Sequence, residues 1–170
     1  MPSGDFDPAR MLGALHAAGV RFVLIGGMAA ILHGDAGVTL DLDLVPDRET
    51  DNLEKLARAL RSLAARIRAA DAPEGLPFDC SAAFFRNLPA DAIVNLTTDA
   101  GDLDLAFRPS GTEGYSDLHR DAALVEIADG VEIQVASLGD VIRSKAAADR
   151  EKDRQALPRL RQLLARISKR

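Results

Sequence analysis

The sequence has no tryptophan and one tyrosine, and aromatic residues make up only 4% of its 170 residues. That excludes a row of exposed rings as a platform for stacked bases. The core must be built from Leu, Val, Ile and Ala instead. A lone cysteine, Cys80, rules out an internal disulfide and agrees with a reducing compartment, so a cytoplasmic protein is expected. No apolar run reaches the roughly 20 residues of a membrane-spanning helix. The opening MPSGDFDPAR has neither the basic start nor the apolar stretch of a secretion signal. His16, His33 and His119 lack zinc-ligand spacing. Ser81, Ser116 and Ser137 lack the strand–turn–helix context of a nucleophilic serine.

What is present is ordinary in amount and uneven in placement. Hydrophobic residues reach 47%, enough for one core. The net charge is −5, yet residues 143–170 carry ten Lys and Arg against three Asp and Glu, a local +7 that leaves −12 for residues 1–142. A basic tail on an acidic body could face a polyanion on one side. A solvated helix face accounts for the same composition, and so it does for Arg58, Arg61, Arg66 and Arg68.

The pattern along the chain alternates helices and strands. Asp7 and Pro8 open a helix that Gly19 ends. FVLI, residues 22–25, reads as a strand buried on both faces, closed by Gly26-Gly27. A short helix runs to Gly34, and VTLDLDLVP, residues 38–46, is a second strand. From Glu49 to about Ala70, Leu53, Leu56, Leu60, Leu63 and Ile67 follow helical spacing. Residues 71–89 read as a connector with one helical turn at 82–86. AIVNLTT and DLDLAF form two more strands around Asp99–Gly101, and ALVEIADGVEIQVAS is a hairpin turning at Asp129-Gly130. The chain closes with helix from Leu138 to Ile167, which Pro158 interrupts or divides. The expected fold class is α+β: a mixed sheet with helices packed on it, a core over 1–136 and a helical segment over 137–170.

Two aspartates inside the second strand call for a reason. Alternation sends Asp41 and Asp43 to one face, with Cα atoms about 6.5–7 Å apart, and Leu40, Leu42 and Leu44 to the other. Ionised carboxylates on one face repel, and a bound Mg²⁺ removes that conflict. A half-wet antiparallel strand would tolerate them without a metal. GDLDLAF repeats the pattern with Asp102 and Asp104, and carboxylates from two neighbouring strands could hold two cations about 3.5–4 Å apart. Gly26-Gly27, between strand and helix, suits a phosphate approaching the backbone, or simply a tight turn.

FVLIGGMAAILHG, TLDLDLV, GDLDLAF and SKAAADREKD together resemble the nucleotidyltransferase superfamily, closest to its AbiEii and MenT-type toxin-like branch. The likeness runs from about Val20 to Leu164. It implies a polymerase-β-like core with C-terminal helices, acting on a nucleoside triphosphate with Mg²⁺ or Mn²⁺. Asp41, Asp43 and Asp104 match the metal-binding, catalytic carboxylates. Asp102 falls at a variable position. Gly26, Gly27, Thr39, Lys145, Arg150, Lys152 and Asp153 match nucleotide-binding positions. Many relatives carry an arginine shortly before the Thr-x-Asp-x-Asp segment, where this chain has Gly37 and Val38. The resemblance further implies transfer of a nucleotide to an acceptor hydroxyl, an RNA end as in toxin-like relatives, with a DNA-binding antitoxin as partner. A small-molecule acceptor of the aminoglycoside type, or a non-catalytic nucleotide-binding module, stands beside it.

Overall fold

β1 (Phe22–Ile25) is buried at every residue and has a neighbour on each edge. It pairs antiparallel with β2 (Asp41–Pro46) and parallel with β8 (Val131–Val135). A strand covered on both faces has no reason to alternate polar and apolar residues. On its far edge β2 runs parallel to β6 (Gly101–Ala106), which pairs antiparallel with β5 (Ile93–Thr98). β3 (Arg66–Ala69) and β4 (Ala72–Leu76) extend that side, and β7 (Ala123–Ala128) completes the other. The result is one eight-stranded mixed sheet of order β4-β3-β5-β6-β2-β1-β8-β7, in a computed structural model that describes residues 5–170. Residues 1–4, part of the stretch read as free of a secretion signal, lie outside it. Among the described residues no helix is long and apolar enough to cross a membrane.

α1 (Pro8–Ala17) is capped as its sequence predicts, by Asp7 accepting from the Arg10 backbone N–H at 3.0 Å. α3 (Thr50–Ser62) contacts α1. Its Leu53, Leu56 and Leu60 join Met11 and Leu15 of α1 in a fully buried cluster with Leu42, Leu44, Leu103 and Leu105 of β2 and β6. α2 (Gly26–Leu32), α6 (Leu138–Ala148) and α7 (Glu151–Ser168) contact one another in sequence, α2 with α6 and α6 with α7. The short α4 (Ala82–Arg86) and α5 (Tyr115–Arg120) are single turns or little more. The hairpin turns at Asp129-Gly130 as expected, with Gly130 at φ +73°.

Four expectations need correction. The helix after β2 stops at Ser62, not Ala70. Ala64 turns the chain with φ +54°, and Arg66–Ala69 pairs with β5. A non-glycine residue in the left-handed region gives no stop signal in sequence. The connector holds strand β4 and not only the turn at 82–86. The second strand begins at Asp41, so Val38 and Leu40 stand 91% and 75% exposed, and Leu40 is not a core residue. The C-terminal helix breaks at Asp149 (φ +51°), while Pro158 sits inside an unbroken α7.

One buried polar residue ties the first loop of the sheet together. Asn52 is fully buried in α3. Its side chain accepts from the Arg21 N–H at 2.7 Å and donates to the carbonyls of Arg21 at 2.9 Å and Asp47 at 2.7 Å. These are the residues that enter β1 and leave β2. Asn52→Ala leaves the Arg21 N–H and the Asp47 carbonyl without this partner, while the Arg21 carbonyl keeps the Asp47 N–H, and should cost about 1–3 kcal/mol. Urea unfolding would read this as a lower midpoint with an unchanged slope, and a loss under 0.5 kcal/mol would contradict it.

Candidate active site

The register of β2 against β6 builds the site. Asp41 lies opposite Asp102 and Asp43 opposite Asp104. Strand alternation turns the intervening leucines to the buried side, where Leu42, Leu44, Leu103 and Leu105 are 0–1% exposed. All four carboxylates therefore share the face toward α2 and α6. Asp41, Asp43 and Asp104 line a cavity of about 550 Å³, together with Gly26, Gly27, Thr39, Lys145, Arg150 and Lys152. The sequence-predicted site residues are thus brought together, with one exception: Asp153 is fully buried and does not line it.

The glycines serve the carboxylates. Gly26 has φ +73°, and a Cβ there would stand 2.2 Å from Oδ2 of Asp43. The missing side chain is the space that the Asp43 carboxylate fills. A Cβ on Gly27 would meet Thr39 Oγ1 at 3.2 Å. Thr39 in turn donates to the backbone carbonyl of Asp41 at 3.1 Å and lies 3.2 Å from its Oδ1. Thr39 thus orients Asp41, and the missing side chain at Gly27 leaves Thr39 its room.

Burial, reinforced by the charges of Asp41 and Asp104, pushes the Asp43 carboxyl up to about 7, against the opposing pull of Lys152 and Lys145. Burial also raises Asp104, with Asp41 and Asp102 adding to it and Arg68 opposing. Burial is the larger cause of both shifts, and the neighbouring like charges add to it.

The cations come from the C-terminal helices and are pre-set from behind. Lys145 of α6 and Arg150, the residue before α7, meet at Asp153, with Nζ at 3.5 Å and Nε at 2.7 Å. Asp153 also accepts from the Arg150 backbone N–H at 3.2 Å, which closes the first turn of α7. Burial disfavours its charge, but the hydrogen bond and charge of Arg150, with Lys145, outweigh that and hold it below the usual carboxylate range. Asp153 is therefore a positioning residue for the two cations.

Two arginines were not recognised in the sequence as part of the site. Arg159 of α7 lines the cavity, with Nη2 3.1 Å from where a Gly37 Cβ would stand. It pairs with Asp35 at 2.5 Å and 3.2 Å. Its guanidinium stands beside Gly37, in the loop that leads to Thr39. Only the crossing of α7 over the 35–37 loop reveals it. Arg68, read as part of a helix face, lies on β3 and reaches Asp102 and Asp104, each at 3.2 Å.

The remaining candidates are structural. His33 Nε2 bonds the Ala136 carbonyl at 2.7 Å, and Ser81 and Ser137 cap α4 and α6. Burial pushes the Cys80 thiol up to about 11, which leaves it unreactive.

Among the described residues no three His, Cys, Asp or Glu side chains are arranged to hold one metal ion. The donor set still fits a hard cation. Asp41 and Asp43 share one face, and Oδ1 of Asp104 is buried without a hydrogen bond. Mg²⁺ commonly takes one or two carboxylates and completes its shell with water and phosphate.

Since the folded pKa of Asp43, about 7, stands above the ordinary 3.8, the folded protein binds that proton more tightly than the unfolded chain. The stabilisation is full below about pH 4 and is lost as the pH rises through 7. Asp43→Asn should therefore resist urea better than wild type at pH 8 in metal-free buffer, and the advantage should shrink toward pH 5. An advantage of equal size at both pH values would contradict the assignment.

No family model matches the sequence, and no curated protein matches it significantly. Solved structures do. A Thermotoga maritima protein provisionally assigned as a nucleotidyltransferase superposes with a TM-score of 0.54 at 17% identity, covering 89% of this chain and 88% of that one. The lincosamide antibiotic adenylyltransferase LnuA, solved with lincomycin bound, superposes with a TM-score of 0.58 at 14% identity, covering 94% of this chain and 99% of that one. The mixed sheet and its helices have the fold of these nucleotidyltransferase structures.

Proposed function

We propose that this chain is a nucleotidyltransferase that moves a nucleoside monophosphate from a nucleoside triphosphate to an acceptor hydroxyl. One observation carries the reading. The Asp43 carboxylate fills the gap left by Gly26, beside Asp41 and opposite Asp104, in a cavity that Lys145, Arg150 and Lys152 also line. Acidic groups beside fixed cations are complementary halves of a site for a metal-bound triphosphate.

Asp41 and Asp43 would hold Mg²⁺ or Mn²⁺, which when bound neutralises charge on the phosphates and lowers the pKa of a coordinated hydroxyl. Thr39 keeps Asp41 in its orientation. Lys145, Arg150 and Lys152 take up the charge of the triphosphate, and Asp153 spares Lys145 and Arg150 the cost of reorienting when it arrives. Asp104, on the acceptor side, accepts the hydroxyl proton or orients that hydroxyl, and its raised pKa makes it the stronger base. The acceptor oxygen forms its bond to the α-phosphorus as the bond to the bridging oxygen breaks. Pyrophosphate departs toward the cations.

An RNA end is the acceptor we favour, with a DNA-binding antitoxin as protein partner, in keeping with the toxin-like resemblance and the basic C-terminal helices. Arg143, Arg154 and Arg159 of those helices are already paired with Asp117, Glu151 and Asp35, which trims the charge left for a polyanion. The likeness to LnuA favours a second reading, a small-molecule hydroxyl acceptor. Incubation with each labelled triphosphate and Mg²⁺ or Mn²⁺, against tRNA, protein and small-molecule pools, separates them by which pool gains label. Bound triphosphate with no pyrophosphate released from any pool would leave only a binding module. Asp41→Asn should lower pyrophosphate release at least about 100-fold with an unchanged circular dichroism spectrum. Full activity in that variant would end the proposal.

A further inference from the structure

Arg68 has no place in the reaction described above, yet it sits against it. It lies on β3 and reaches across β5 to the row of carboxylates on β6. Its Nε stands 3.2 Å from Asp102 Oδ2 and its Nη2 3.2 Å from Asp104 Oδ1. The Nη2 donates its aligned hydrogen bond to the Leu96 carbonyl, at 2.8 Å. Arg68 Nε and Asp104 Oδ1 are both buried, and neither makes a hydrogen bond. The guanidinium is anchored to backbone, and its charge lies against Asp104. Among the described residues no three His, Cys, Asp or Glu side chains are arranged to hold one metal ion, although Asp104 lies directly opposite Asp43.

We propose that Arg68 is an internal counter-cation for Asp104, which withholds that carboxylate from divalent metal in the free protein and leaves metal binding to Asp41 and Asp43. The inference rests on the reading of Asp41 and Asp43 as metal ligands. A fixed positive charge beside Asp104 repels an approaching divalent ion. A buried Oδ1 without a hydrogen bond is costly to keep, and it would be available to a cation once a triphosphate has brought further negative charge into the cavity. Arg68 is thus a positioning residue that makes full assembly of the site depend on substrate.

The test is Mn²⁺ binding to the full chain without nucleotide, followed by the electron paramagnetic resonance signal of the free ion. Arg68→Gln should tighten binding about tenfold, and Asp104→Asn added to that variant should erase the gain. With Arg68 in place, Asp104→Asn should change affinity less than about threefold, while Asp41→Asn abolishes binding. Arg68→Lys, which keeps the charge, should bind as wild type does. No gain in Arg68→Gln overturns the proposal. So does a loss in Asp104→Asn as large as in Asp41→Asn, a comparison that decides the matter even if Arg68→Gln fails to fold. A wild-type protein that binds no Mn²⁺ overturns the metal-site reading and this inference with it. Binding that depends on Asp41 but ignores Arg68 overturns the inference alone.

Discussion

In-register parallel pairing of β2 with β6 is the constraint to which the rest of the site answers. It places Asp41 beside Asp102 and Asp43 beside Asp104, four like charges on one sheet face. Their leucine neighbours anchor both strands in the core, so neither strand can slip by one residue without exposing that core. The carboxylates cannot separate by moving the backbone. Relief must come from protons, from cations or from space. The protein uses each: a raised Asp43 and Asp104, arginines and lysines brought in from other elements, and a missing side chain at Gly26.

The cations are arranged as carefully as the anions. Three of those from the C-terminal helices are held by carboxylates, Lys145 and Arg150 by the buried Asp153, and Arg159 by Asp35, which itself lines the cavity. Each acid fixes a base that faces the cavity. Arg68 works from the opposite side, with the backbone of Leu96 as its anchor. Lys145 and Arg150 flank the left-handed joint at Asp149. A buried acid spanning such a joint sets the angle between α6 and α7 and sets the spacing of the two positive charges at once.

Much of this was legible in the sequence because local pattern and burial agreed. The run from Phe22 to Ile25, the two Asp-Leu-Asp strands and the Asp129-Gly130 hairpin each carry a periodicity or turn residue that decides their form. Residues 50–76 did not, because Ala64 breaks the helix where no glycine announces it, and Ile67 continues the helical spacing by coincidence. Tertiary pairing with Leu96 decides that segment. Arg68 was illegible for the same reason: a residue assigned to a helix face cannot be seen to reach a neighbouring strand. Arg159 and Asp35 are 124 positions apart, and no local pattern joins them. Lys145 and Asp153 both match nucleotide-binding positions, with nothing in the sequence to pair them with each other. The burial of Asp153, which turns it from a ligand contact into a support, depends on packing.

The sheet ends on two weak strands, and this bears on how the molecule behaves among its own copies. β4, at one margin, carries Pro73, which has no N–H to offer, and Gly75 at φ +79°. β7, at the other, has an irregular register between Glu126 and Ala128. A kinked or donor-poor margin is a poor template for an incoming strand. Neither margin of this eight-stranded sheet invites a second copy to pair edge to edge, while β2 and β6, with their four aspartates, lie at its centre.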